Sequence, residues 1–263
     1  MRFDTAYFDE GIARVGTECE KWDGMIAETG DPSMIPMWVA DMDFPSPPAI
    51  RDALADVLAR GMWGYTMSGR ADRQAVCDYW ARRHGVTLAQ ESVLLSPCVV
   101  TGLKLALRAL TQHGDGVLIN PPVYGPFFKS IESNGRRVVE SPLVRDENGR
   151  YTMNLAQMED KLASGEAKAV MLCSPHNPCG RAWSVEELTA VVEMCRRHGA
   201  PIICDEIHAY FVYAPNTHHS ILTIPGARET TVMLCAASKT FNVAGLQQSA
   251  IVCENEAVRH AIE

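Results

Sequence analysis

Four short stretches carry residue types that could do chemistry. Lys239 follows the apolar run TVMLCA at 231–236, and an amine there can condense with an aldehyde or act as a base if burial or neighbours depress its pKa. Asp205 follows PIIC at 201–204, where a carboxylate is costly to desolvate unless a cation or a hydrogen-bond donor meets it. Asn177 stands in SPHNPCGR at 174–181, a turn by composition, punctuated by Pro175, Pro178 and Gly180. SPCVVTG at 96–102 enters a helix whose free amides around Val99, Val100 and Thr101 suit a phosphate. Each has a plainer counterpart: a solvated lysine, an N-cap aspartate, a turn asparagine, a strand–helix turn that binds nothing. Taken together, the lysine, an aspartate able to keep a pyridine nitrogen protonated and a helix N-terminus for phosphate are the parts of a pyridoxal 5'-phosphate site.

These stretches must be positioned by the elements around them. Apolar, often β-branched runs recur at SVLL (92–95), GVLIN (116–120), RVVE (137–140), AVMLCS (169–174), PIICDE (201–206), TVMLCA (231–236) and SAIVCE (249–254). Helical periodicity separates several of them. Leu103, Leu107 and Leu110 make one stripe over 101–112, and the segment 184–199 opens on a Ser184/Glu187 capping box and closes on glycine. Strands apolar on both faces and alternating with helices predict an α/β fold with a mostly parallel sheet. In such sheets ligands gather at the carboxyl ends of strands, so all four stretches should share one rim. Before residue 90 the chain is Pro-rich and then offers two helices, 47–61 and 71–85. The reading is an N-terminal arm with part of a smaller domain over 1–48, and a large cofactor-binding domain over 49–263. ENEAVRHAIE at 254–263 reads as the first turns of a helix with no cap or stop signal. The large domain is therefore expected to be incomplete, with a C-terminal small domain absent.

Composition narrows the partners. The 263 residues carry a formal charge of -8, and basic residues cluster only as pairs such as Arg82-Arg83 and Arg136-Arg137, which argues against nucleic acid or an anionic membrane. A small molecule is the expected partner. Nine cysteines without a CxxC pair fit a reducing cytoplasm, and Cys173, Cys204, Cys235 and Cys253 end apolar runs as small hydrophobes would. No apolar stretch has the length of a membrane span, and no metal site is expected: His218 and His219 read as a surface loop lacking a third ligand. Cys98 and Cys179 lie inside site motifs, but neither is assigned as a nucleophile, and Trp38 and Trp63 are assigned to core packing.

The stretches RVGTECEKWD (14–23), PMWVADMDF (36–44), GYT (64–66), SPCVVTGL (96–103), PPVYGPF (121–127), SPHNPCGR (174–181), DEIH (205–208) and SKTFNVAGL (238–246) carry a resemblance. The chain resembles the fold-type I pyridoxal-phosphate enzymes of aminotransferase class I/II, and within them the MalY/PatB-like cystathionine β-lyases, or carbon–sulfur lyases. That resemblance implies the aspartate aminotransferase-like large domain with a seven-stranded sheet between helices. It implies Lys239 as the residue that carries the cofactor covalently and moves protons. By the same resemblance Asp205 pairs with the pyridine nitrogen, Asn177 bonds the ring 3'-oxygen, and Tyr124 stacks on the ring. The Val99 and Val100 amides with the Ser238 hydroxyl hold the phosphate, and Tyr65 reaches the neighbouring subunit's site, which implies a homodimer. Ala40 and Asp41 lie where the family's backbone approaches the substrate carboxylate.

Two positions depart from the wider class. Gln247 stands where that class has an arginine, and His208 replaces a tyrosine that bonds the 3'-oxygen, as the lyase-like subgroup does. The family's carboxylate-binding arginine has no counterpart here; Arg259 is not assigned to it. The implied reaction is β-elimination from a cysteine-type amino acid, cystathionine giving homocysteine, pyruvate and ammonia in amino-acid metabolism. An aminotransferase uses the same parts, and an inactive fragment or an interaction protein on the same fold is the alternative of another class.

Overall fold

The computed structural model describes residues 5–9, 11–67 and 69–263. It divides into two compact units, Met67–Ala236 with Gln247–Glu263, and Met1–Thr66 with Ala237–Leu246.

In the larger unit every expected apolar run forms a strand. β1 (Val93–Ser96), β2 (Gly116–Ile119) and β3 (Arg137–Glu140) come first, and a small ladder pairs β4 (Val144–Arg145) with β5 (Tyr151–Thr152). β6 (Ala169–Cys173), β7 (Ile202–Asp205), β8 (Thr231–Cys235) and β9 (Ser249–Cys253) follow. Seven strands make one sheet in the order β1-β9-β8-β7-β6-β2-β3. Only β9 is reversed, lying antiparallel to both β1 and β8. The remaining pairs are parallel, so the carboxyl ends of β1, β2, β6, β7 and β8 share one rim.

Both faces of this sheet are covered, which is why its strands are apolar at successive positions. Leu118, Val170, Leu172, Ile202, Cys204 and Met233 pack with residues of the helices Arg70–His84, Leu155–Ala163 and Val185–Arg197. Val117, Ile119, Met171, Ile203 and Leu234 pack with residues of the helices Val99–Leu110, Pro126–Glu132 and Glu256–Ile262. A Cβ at Gly102 would collide with Leu234, so the glycine lets the helix Val99–Leu110 settle directly on the sheet.

The capping box predicted at Ser184 and Glu187 is present, with Glu187 N donating to Ser184 Oγ at 3.2 Å and Ser184 N to Glu187 at 2.8 Å. One expectation needs correction, and one element was not foreseen. The last helix does have a cap, since Val258 N donates to Asn255 Oδ1 at 3.2 Å. The ladder of β4 and β5 escaped notice because each strand is two residues long, set by the turn in which Asp146 Oδ1 accepts from Asn148 N and Arg150 N.

The smaller unit begins its longest helix, Pro48–Arg60, on proline and stops it at Gly61, whose φ is 64°. It runs to Thr66 and takes in residues 237–246, where Asn242 is bonded into the N-terminal segment. Asn242 Nδ2 donates to Met42 O at 3.0 Å and to Phe44 O at 3.2 Å, Met42 N donates to Asn242 Oδ1 at 3.0 Å, and Ser46 Oγ donates to Asn242 O at 3.0 Å. Asparagine suits this place because its φ of 54° is a left-handed conformation that asparagine tolerates. Trp38 and Trp63 are not core residues: they are 55% and 71% exposed. Polar bonds, not an apolar interior, hold this unit, whose buried described residues are Cys19, Lys21, Pro36 and Met25.

Candidate active site

Asp205 ends β7, the middle strand of the sheet, paired with Cys173 on one side and Leu234 on the other. A carboxylate at this point has strands on both flanks and is 3% exposed. Among the described residues its carboxylate has one hydrogen bond, from Ile207 N at 3.0 Å, and no ion-pair partner. Burial pushes its carboxyl up to about 7; the Ile207 amide opposes that rise, and neighbouring Glu206 adds to it. The sequence expectation that a donor or cation would meet this group is thus only part-filled by the protein itself.

Around Asp205 the larger unit gathers other predicted residues. Tyr124 follows β2 and is half-buried; burial raises its phenol pKa, with smaller contributions from Asp205, Cys98 and Cys173. Its electrostatic neighbours therefore include Asp205. Asn177, in the turn after β6, is half-buried and anchored by its backbone, its amide N–H meeting Cys173 Sγ at 3.4 Å. His208 lies half-buried three residues past Asp205, its ring 6.3 Å from that of Phe211.

After β1 the chain turns straight into the helix Val99–Leu110. Cys98 occupies the N-cap in extended conformation, and its side chain makes no capping bond. Its thiol meets Thr101 Oγ1 at 3.3 Å, while Ser96 Oγ donates to Cys98 O at 2.9 Å and fixes the entry of the chain. The first-turn amides, Val99 and Val100 among them, are left for an external acceptor, and the helix dipole favours an anion there.

The smaller unit contains the remaining predicted residues: Lys239, Ser238, Ala40, Asp41 and Tyr65. Lys239 sits in the helical turn Ala237–Thr240, four residues past the end of β8, and its Nζ donates to Ala40 O at 3.0 Å. Burial lowers its pKa below 10.5, while Asp41 pulls the other way, so the neutral and nucleophilic amine is more accessible than on a solvated lysine. Tyr65 is fully exposed.

Sequence reasoning passed over two groups. The first is the network that builds the loop carrying Ala40 and Asp41. Arg14 forks onto Asp41 at 2.6 and 3.0 Å, Lys21 Nζ reaches Asp43 at 2.6 Å and Asp41 O at 2.8 Å, and Trp22 Nε1 donates to Asp43 at 2.8 Å. Burial opposes the negative charge of Asp43, but Lys21, Trp22 and Arg14 leave its pKa lowered. The signal was the paired spacing of Arg14 and Lys21 against Asp41 and Asp43. The second group contradicts the surface reading of His218, which is buried with its Nε2 3.0 Å from Glu206 Oε2. Polar sequence around His218 hid the buried acid that draws it in.

The profile of the family described as aminotransferase class I and II matches residues 32–263. Among curated proteins, the chain is 41% identical to cystathionine beta-lyase PatB of Bacillus subtilis over 246 residues, covering 93% of this chain and 63% of that protein. It is 32% identical to protein MalY of Escherichia coli, covering 97% of this chain and 65% of the other. The crystal structure of cystalysin from Treponema denticola, which contains a pyridoxal 5'-phosphate cofactor, superposes with a TM-score of 0.93 at 30% identity, over 100% of this chain and 66% of that one. The chain thus spans just under two thirds of the length of these relatives. On the residues matched by the profile and the identity to these relatives, the chain belongs to the aminotransferase class I and II family.

Proposed function

We propose that the protein is a pyridoxal 5'-phosphate-dependent carbon–sulfur β-lyase acting on cystathionine-type amino acids. The observation that carries this reading is Asp205, a carboxylate 3% exposed at the end of the central strand with a single backbone donor. Such a group is costly to the protein alone and is satisfied by a protonated ring nitrogen. The donor set fits the rest of the cofactor: uncapped first-turn amides for its phosphate, and a lysine with a depressed pKa for its aldehyde. The relatives named cystathionine beta-lyase and the cofactor in cystalysin support the same choice.

When bound, pyridoxal 5'-phosphate supplies an aldehyde that captures an amine and a ring that accepts the electrons released when Cα loses its proton. Asp205 would hold the ring nitrogen in its protonated form. Asn177 and His208 would donate to the ring oxygen, and Tyr124 would lie against the ring. The Val99 and Val100 amides would hold the phosphate, the part the family resemblance also gives to the Ser238 hydroxyl. Lys239 would bind the aldehyde of the cofactor and, once freed, would take the Cα proton of the substrate. With one water consumed, the products would be a thiol, pyruvate and ammonia. Asp41, held by Arg14 and Lys21, and Ala40 before it would present backbone toward the substrate carboxylate. The working protein is a cytoplasmic homodimer in which Tyr65 serves the partner's site; the full exposure of Tyr65 supports that role. Among the described residues no helix is long and apolar enough to cross a membrane.

Incubation of the purified protein with cystathionine and pyridoxal 5'-phosphate tests this reading. Free thiol with stoichiometric pyruvate is expected, and Lys239→Ala abolishes both that release and borohydride trapping of the cofactor. A 2-oxo acid formed only with an amino acceptor identifies an aminotransferase instead, and failure to take up the cofactor overturns the reading.

A further inference from the structure

His176 has no part in the chemistry described so far, yet it is 2% exposed and bridges two loops of the rim. Its Nε2 lies 2.9 Å from Pro122 O, a bond between residues 54 apart in the chain. One loop leaves β6 and carries Asn177, the next residue; the other leaves β2 and carries Tyr124, two residues on. A carbonyl accepts only, so Nε2 must carry the proton. The other ring nitrogen, Nδ1, is buried without a partner among the described residues, which fits the neutral tautomer. Burial pushes the ring's pKa down from its ordinary 6.5, against the opposing pull of the Pro122 carbonyl.

The ring is mounted rigidly. His176 N donates to Arg181 O at 2.8 Å and Gly180 N to His176 O at 2.8 Å, closing the turn on itself. Trp183, fully buried, stacks edge-on against the imidazole at 5.4 Å and is itself pinned by its Nε1 donating to Cys173 O at 2.9 Å. On the other side, Leu143 N donates to Pro121 O at 2.7 Å, so the loop that receives the bond is also held from behind. Residues 120–125 and 174–180 contain no helix or strand, and the imidazole is a direct side-chain tie from one to the other.

The geometry points to His176 as a positioning residue: its Nε2–H bond to Pro122 O sets Tyr124 and Asn177 at the spacing the cofactor ring requires. This deepens the proposed function and rests on the cofactor reading. Its action passes through the two loops, so His176 touches neither ring nor substrate. Glutamine can place an amide N–H where Nε2–H lies, whereas leucine fills the space and donates nothing.

The test titrates pyridoxal 5'-phosphate into wild type, His176→Gln, His176→Leu, Tyr124→Phe and Tyr124→Ala, and into His176→Leu combined with each Tyr124 change, following visible absorbance and its maximum. Hydrogen exchange at residues 122–127 is measured on the ligand-free proteins. His176→Leu is expected to weaken cofactor binding about tenfold, to shift the absorbance maximum, and to speed exchange in 122–127. His176→Gln is expected to stay within about threefold of wild type. In the Tyr124→Ala background the His176→Leu penalty should shrink, because the two residues act through one loop. A wild type that takes up no cofactor overturns the cofactor reading and this inference together. A wild type that binds while His176→Leu binds equally well, or shows an additive penalty beside Tyr124→Ala, overturns this inference alone.

Discussion

Asp205 and Glu206 are neighbours in the chain, 3% and 1% exposed, and they face opposite sides of the sheet. On the Glu206 side the carboxylate is fully provided for: Ile221 N donates to it at 2.7 Å, His218 Nε2 lies at 3.0 Å, and the Cys204 thiol approaches at 3.7 Å. His84 stands behind His218 with ring centroids 5.2 Å apart, its own pKa driven down to about 4 by burial and then by His218. On the Asp205 side there is one backbone amide. Two buried acids of similar cost thus have opposite fates: Glu206 closes an internal network that ties residues 206 to 221, and Asp205 stays part-satisfied. The difference teaches that depth of burial does not separate a fully partnered acid from one left with room for a ligand; completeness of its partners does.

Mutation can break this contrast from either side. His218→Leu should have the largest effect, because it leaves Glu206 buried without its ring donor, and is expected to cost about 3 to 5 kcal/mol in denaturant-unfolding measurements. Asp205→Asn should act in the opposite direction on the ligand-free protein. The folded state holds a proton on Asp205 up to about pH 7, whereas the unfolded chain releases it near its ordinary 3.8. Folding therefore takes up a proton between those values, and stability falls as pH rises from about 4 to about 7, by on the order of 3 to 5 kcal/mol at full effect. Melting curves across that range should show wild type losing ground to Asp205→Asn and staying below it above pH 7. Parallel curves would mean Asp205 is as well satisfied as Glu206. The smallest effect sets the scale for an ordinary polar contact: Ser184→Ala, which removes a helix cap away from both acids, should cost about 1 kcal/mol at every pH between 5 and 8.

The sheet was legible in the sequence because burial on both faces leaves continuous apolar runs, and β6 through β9 carry that pattern most plainly. The rim residues were legible as types at strand ends: Asp205 after β7, Asn177 after β6, the Val99 and Val100 amides after β1. Their environment was not legible. The sequence does not show that the Ile207 amide is all that meets Asp205, because the flanking strands, distant in the chain, decide whether any other donor reaches it. His218 was misread for the same reason: the acid that buries it lies 12 residues earlier. Trp38 and Trp63 were misassigned because a tryptophan's hydrophobicity says what it favours and not whether the surrounding chain supplies cover. In the loop of Ala40 and Asp41, four charged side chains, Arg14, Lys21, Asp41 and Asp43, take the place that apolar packing was expected to fill.

The central claim is that Asp205 is left open for a protonated ring nitrogen. Equilibrium titration of pyridoxal 5'-phosphate into wild type and Asp205→Asn at pH 8, followed by visible absorbance, tests it most directly. Asp205→Asn, although the more stable protein without ligand, should bind at least about tenfold more weakly; equal affinity in the two proteins would contradict the claim.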